Sequence, residues 1–267
     1  MLREITLGQY YPADSVLHRL DPRVKLVATI LFLVSLFVVQ GWGYLICTGF
    51  LISVILLSKV PFRYMVRGLR AIFIVILITV VLNLFLTNGT VLWSFGILKI
   101  TQEGVYNAVF MALRLIYLIL GASVMTLTTT PNKLTDAIES LLSPLNAIKV
   151  PVHEMAMMMS IALRFIPILI EEADKIMKAQ MARGADFESG NVLRRIRAMV
   201  PILVPLFVSA FRRANDLALA MEARCYHGGS GRTHMKPLKY DSRDVKAYII
   251  VFAYFGVIIA VRAALGW

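Results

Sequence analysis

PVHEMAMMMSIALRFIPILIEEADKIMKAQMARGADFESGNVLRRIRAMVPILVPLFVSAFRRANDLALAMEARCY, Pro151 to Tyr226, reads as two long helices in tandem. Both close on the same signature, Ala182-Arg183-Gly184 and then Ala223-Arg224-Cys225, forty-one residues apart. In the first helix apolar residues recur at Met155, Met158, Ala162, Phe165, Leu169 and Ile176, so the helical period carries Arg183 onto the methionine stripe. The second runs from about Asn191 through Pro201 and Pro205 to Arg224. At ~1.5 Å per residue each is roughly 45 to 50 Å long, more than a compact core needs.

An arginine in the last turn of a helix has a local explanation. Cations suit the negative end of the macrodipole and help satisfy the last carbonyls, at about 0.3 to 1 kcal/mol. Two such endings, each after alanine and before a small residue, point further. Small neighbours leave the guanidinium clear of its own helix, free to present its five-donor fork to a carboxylate or carbonyl ring on another protein.

These residues carry a resemblance. Met181-Ala182-Arg183-Gly184-Ala185-Asp186 and Glu222-Ala223-Arg224-Cys225-Tyr226 resemble the paired Ala-Arg-Gly motifs of the T components of energy-coupling factor (ECF) transporters, ABC-type importers of vitamins and metal ions. The run Gly8-Gln9-Tyr10-Tyr11-Pro12, with Ser15, His18-Arg19-Leu20-Asp21-Pro22-Arg23 and Lys25-Leu26, is similar to the start of the shared-module subfamily. The likeness covers essentially the whole chain, and Cys225 stands where the family usually has glycine or another small residue. The resemblance implies a subunit that docks two separate ABC ATPases through Ala182, Arg183, Gly184, Ala223, Arg224 and Cys225. It also implies an exchangeable substrate-binding S component in the membrane.

Composition agrees with a membrane location. Of 267 residues, 58% are hydrophobic and 16% charged, too apolar for an ordinary soluble domain. The net charge of +12 is distributed as membrane topology requires, which argues against nucleic acid as the partner. Apolar runs at 24–40 and 42–58 are joined by the tight turn Gln40-Gly41-Trp42-Gly43. A loop with Lys59, Arg63, Arg67 and Arg70 leads to a third run at 71–87. Asn88-Gly89 and a stretch with Gly96 and Lys99 suit a hairpin; runs at 104–128 and 247–265 complete the set, the last with Arg262 snorkelling to the interface. A polar segment precedes the first run without a small-x-small cleavage site after it, so the first span is expected to stay.

Four Lys and Arg precede the first span and four follow the second, against none at 40–43 and one at 88–103. That excess puts the amino terminus in the cytoplasm and the carboxyl terminus outside the cell membrane, with Trp42, Trp93 and Trp267 near the outer interface. Residues 129–246 carry 17 Lys and Arg. Apolar stretches at 155–170 and 198–211 fall short of the ~20 residues of a span, and Arg194-Arg195-Arg197 and Arg212-Arg213 flank the second. Both long helices are therefore expected on the cytoplasmic side. Thr130-Pro131 opens a shorter one with Leu134, Ile138, Leu141 and Leu142 on one face.

The expectation is an all-α membrane protein with about five transmembrane helices and three cytoplasmic-side coupling helices. Residues 1–128 form a four-span membrane region, 129–230 the coupling region, and 231–267 a linker and last span.

Catalytic chemistry has no visible carrier. No Gly-x-x-x-x-Gly-Lys-Ser/Thr loop exists, and Gly228-Gly229-Ser230-Gly231 lacks the lysine and a preceding strand, which reads as a hinge. Cys47 and Cys225 form no disulfide framework, and His18, His153, His227 and His234 lack metal-ligand spacing; no metal, cofactor or catalytic residue is expected. Glu171 with Lys175 and Asp174 with Lys178 read as i,i+4 pairs on a solvated face. Arg114 and Arg164, within apolar helices, call for partners or water, and Pro167, Pro201 and Pro205 are expected to kink or divide their helices. Two readings stand for the cluster Met155, Met157, Met158 and Met159. It is packed core, or a deformable surface that accepts several membrane partners, with Met155, Met158 and Met159 facing the S component. Two functions of other classes remain: an intramembrane enzyme, which needs a polar cluster beyond Asn83, Asn107 and Arg114, and a self-contained permease with a polar lining.

Overall fold

Asp21 and Pro22 open the first long helix. The Asp21 carboxylate accepts the Arg23 N–H at 2.8 Å, and Pro22 occupies the first turn, where a missing N–H costs nothing. The computed structural model describes residues 10–95, 98–185, 187, 192–229, 235 and 237–265. Gly8, Gln9, Gly96, Asp186, Asn191, Ser230, Gly231, His234 and Trp267 lie outside the described residues, as do the side chains of Trp93, Lys99, Arg194, Arg195 and Arg197. In chain order the elements are α1 Val16–Arg19, α2 Pro22–Val38, α3 Gly43–Ser58, α4 Phe62–Leu86, β1 Val91–Phe95, β2 Leu98–Thr101 and α5 Gln102–Thr128. They continue with α6 Pro131–Leu142, a 3-10 turn Ser143–Ile148, α7 Val152–Ala182, α8 Val192–Ala223 and α9 Ser242–Leu265. This is an all-α membrane protein carrying one small antiparallel hairpin, β1 with β2, at the place expected for it.

Each expected apolar run is a helix, with one correction to its bounds. Arg63, Arg67 and Arg70 do not sit in a loop: α4 begins at Phe62, directly after a left-handed turn at Lys59 (φ 54°). Basic residues are good helix formers, so the helix extends past its apolar part. Among the described residues, α5, α7 and α9 are long and apolar enough to cross a membrane. Phe62–Arg70 with Ile72–Leu86, bent by 60°, makes a fourth if it acts as one span, and α3 is a shorter apolar helix. Length and composition thus admit α7, which the sequence reading kept to one side because its apolar stretch looked short.

Gly8–Ala137 and Leu238–Trp267 form one compact unit. Its core is built by Phe32, Leu36, Cys47, Leu51, Tyr117, Leu120, Val124, Tyr254 and Ile258. Gly121 lets α5 approach α2, since a Cβ there would lie 2.7 Å from the Phe32 ring. Several polar groups in this core bond one another. Tyr254 stacks on Phe50 at 4.0 Å between centroids, and its hydroxyl meets Ser35 Oγ at 2.9 Å and donates to Cys47 Sγ at 3.3 Å. Thr48 Oγ1 and the Tyr117 hydroxyl are 2.6 Å apart. Gly41, at φ 51°, makes the tight turn between α2 and α3.

The amino-terminal motif is a set of ties within this unit. Ser15 caps α1, and His18 bridges Ser15 Oγ at 2.7 Å and the Tyr11 carbonyl at 2.9 Å. Tyr11 N–H donates to the Leu127 carbonyl at the end of α5 (2.9 Å), and Lys25 Nζ to that of Thr128 (2.9 Å). Buried Asp244, at the start of α9, accepts the backbone N–H groups of Asp21 and Asp241, both at 2.8 Å. Arg262 donates to the Val38 carbonyl at 3.2 Å, satisfying a carbonyl at the end of α2.

The other unit, Ile138–Pro237, has a different character. Its long helices α7 and α8 run 31 and 32 residues. Pro167, Pro201 and Pro205 sit inside them without dividing them, contrary to the stronger form of the expectation. A proline removes one ladder bond, and a long helix with bonds on both sides tolerates that locally.

Candidate functional site

The two arginine motifs end their helices in one backbone geometry. At the end of α7 the Gly184 N–H donates to the Met181 carbonyl (2.9 Å) and the Ala185 N–H to that of Gln180 (2.9 Å). At the end of α8 the Cys225 N–H donates to the Glu222 carbonyl (2.8 Å) and the Tyr226 N–H to that of Met221 (3.1 Å). Each is a Schellman pair, with the arginine as C-cap and the next residue left-handed: φ is 86° at Gly184 and 55° at Cys225. The departure from glycine at Cys225 therefore changes the strain and leaves the path of the chain alike. A Cβ in the left-handed region costs about 1 kcal/mol.

Ala182, Arg183, Gly184, Ala223, Arg224 and Cys225 are all exposed. Among the described residues neither guanidinium has a hydrogen bond or an ion pair, so both forks are available to a partner.

What holds the two helices together was not legible beforehand. Phe165 and Leu169 of α7 line a space of about 280 Å³ with Ala214, Leu217 and Met221 of α8. Across it Glu172 accepts from Ser209 Oγ at 2.7 Å and from Arg213 Nη2 at 2.6 Å. The pairs expected within α7, Glu171 with Lys175 and Asp174 with Lys178, make no ion pair among the described residues. An exposed intrahelical pair is worth a few tenths of a kcal/mol and yields readily to side-chain entropy, whereas Glu172 is half-buried against a fixed neighbour. A faint signal was present: Glu172 precedes Arg183, and Arg213 precedes Arg224, by the same eleven residues, about three helical turns.

Met155, Met158 and Met159 are exposed, Met158 by 59%. On α8 a second apolar face, Val200, Val204, Phe207, Val208 and Phe211, is at least half exposed. The sequence reading missed this face, although its i, i+4, i+7, i+8, i+11 spacing announces one side of a helix. Arg114 finds its partners inside the other unit: Nε donates to the Tyr44 hydroxyl at 3.1 Å, and the guanidinium lies 5.5 Å from the Phe37 ring centroid. Arg164 is exposed and makes no hydrogen bond among the described residues. His153 pairs with Glu139 at 2.7 Å, and no group of three or more metal-ligating side chains occurs among the described residues.

Residues 13–235 match the CbiQ family model, described as cobalt transport protein, and the chain belongs to that family. Its relatives narrow the class. It is 59% identical over 249 residues to the energy-coupling factor transporter transmembrane protein EcfT of Thermosediminibacter oceani, covering 93% of this chain and 94% of the relative. The proteins of the same name from Clostridium kluyveri (53% over 270 residues, 100% and 99% covered) and Bacillus subtilis (46% over 265 residues, 98% and 100%) are similar end to end. The chain is a transmembrane component of an energy-coupling factor transporter.

Proposed function

We propose that this subunit is non-catalytic and transmits ATP-driven motion from two ABC ATPase subunits to a membrane-embedded S component during uptake of a vitamin or other micronutrient. The observation that carries the reading is the pair of helices ending in one capping geometry, each presenting an exposed arginine that has no partner among the described residues. Arg183 and Arg224 dock into similar sockets on the two ATPases, with Ala182, Gly184, Ala223 and Cys225 keeping the approach clear. When ATP closes the ATPases together, the sockets carry the helix ends with them.

The Glu172–Arg213 tie serves as the joint between the two levers. From it each arm runs eleven residues to its arginine, ~16 Å of helix, so equal displacements of the sockets act on arms of equal length. Met155, Met158 and Met159, with flexible thioethers, form a surface on which different S components seat in turn. The membrane region of residues 1–128 and the last span anchor the coupling region of residues 129–230, with the amino terminus in the cytoplasm and the carboxyl terminus outside.

Co-purification tests this. Arg183→Glu with Arg224→Glu releases the ATPases, while Lys at both positions weakens docking less, because charge remains without the fork. Undiminished recovery of ATPases by the Glu pair ends the proposal.

A further inference from the structure

A second site lies within the unit of Gly8–Ala137 and Leu238–Trp267, away from both arginine motifs. Segments of α1, α2, α3, α5 and α9 enclose a half-open groove of about 320 Å³. Its walls are apolar, with Phe32, Phe50, Val54, Val124 and Ile250 along its length. One end is cationic, contributed by Lys25, Arg243 and Lys246. From Arg243 to Val251 the groove follows α9 for eight steps of helical rise, ~12 Å, against roughly 15 Å for the hydrocarbon of one leaflet.

The cationic end has spare donors. Lys25 is 8% exposed, yet its ammonium makes a single hydrogen bond among the described residues, to the Thr128 carbonyl at 2.9 Å. An ammonium carries three donors, so two remain unused on a buried charge, which is costly without an anion. The neighbouring carboxylates are occupied elsewhere. Asp244 accepts two backbone N–H groups, Asp21 pairs with Arg23 at 2.9 Å, and exposed Asp241 lies 3.6 Å from Arg243. Lys246 has no ion pair among the described residues.

We propose that this groove binds an anionic phospholipid of the surrounding leaflet, one acyl chain lying along the apolar walls and the phosphate meeting Lys25, Lys246 and Arg243. The occupant follows from the chemistry: a hydrocarbon slot about a leaflet deep, closed at one end by Arg243 and by Lys25 and Lys246, which make no ion pair among the described residues, in a chain that resides in a bilayer. A zwitterionic lipid fills the slot equally well but brings its own cation to the basic end. Each basic side chain near a membrane surface favours an anionic headgroup roughly fivefold.

Native mass spectrometry of the full chain, delipidated in detergent and offered equal phosphatidylglycerol and phosphatidylcholine, reads this directly. Wild type retains one phosphatidylglycerol in preference, by about 100-fold for three basic side chains, and glycerol phosphate at the same concentration does not displace it. Arg243→Ala with Lys246→Ala lowers the preference by about 30-fold. Ala28→Phe, which fills the slot, removes retention of both lipids. Equal retention of the two lipids by wild type, a preference undiminished in the double alanine variant, phosphatidylglycerol retained by the filled groove, or displacement by glycerol phosphate each overturns the proposal. The wild-type comparison needs no variant, so a misfolded Ala28→Phe chain leaves it decisive.

Discussion

In the membrane unit polar atoms are turned inward onto each other: the Tyr254 hydroxyl on that of Ser35, and the Asp244 carboxylate on the backbone N–H groups of Asp21 and Asp241. At Arg183 and Arg224, and along the Val200 to Phe211 face of α8, polar and apolar groups alike are exposed, and the two guanidinium groups have no partner among the described residues. The membrane unit uses its residues to hold itself together. The α7–α8 unit fixes two helix ends by backbone bonds and joins the helices through one small set of contacts. A part that must be rigid closes its hydrogen bonds within itself, and a part that must engage and move leaves its recognition groups open.

The widest separation of the two regions comes from the arginine pair. Arg183→Glu with Arg224→Glu abolishes ATPase recovery while thermal unfolding of the isolated subunit shifts by less than about 0.5 kcal/mol, as for exposed surface groups. A large loss of stability breaks the comparison. Asp244→Ala does the reverse: two backbone N–H groups lose their acceptor, costing about 2 to 5 kcal/mol in denaturation of the subunit, and folded protein still binds ATPase. Gly121→Ala forces a methyl against the Phe32 ring and costs about 1 to 3 kcal/mol in the same assay. Cys225→Gly relieves the left-handed strain and stabilises the end of α8 by about 0.5 to 1 kcal/mol, read by hydrogen exchange at the Cys225 and Tyr226 amides.

The smallest effect concerns acid. Burial, the largest cause, holds the His18 imidazole below its ordinary value of 6.5, so the folded state favours the neutral ring. Its contribution is fully present above that value and is lost as the pH falls through it, because the unfolded chain then takes up the proton more readily. Unfolding measured between about pH 7.5 and 5 therefore shows an acid-side decline that His18→Gln reduces. An undiminished decline assigns the effect to other groups.

How much was legible follows from how local each signal is. The spans, the Gly41 turn, the β1–β2 hairpin and the paired Ala-Arg endings are written in windows of a few to some twenty residues, where period, turn chemistry and hydropathy act. Arg63, Arg67 and Arg70 were misplaced because charge marks where a membrane ends and says nothing of where a helix ends. The α8 face was legible and passed over, since its apolar residues read as a short span before they read as a stripe.

By itself the sequence determined an all-α membrane chain, its approximate helices, and two arginines at the ends of two long rods. Only the tertiary structure decided that Glu172 reaches Arg213, that Asp244 holds Asp21, that Arg114 rests on Tyr44, and that Cys225 turns left-handed as Gly184 does. The physical reason is distance along the chain. Helix periodicity and capping arise from neighbours within a few residues, whereas a buried charge takes whichever partner packing brings within about 3 Å, and a non-glycine residue accepts a strained φ only where surrounding bonds require it.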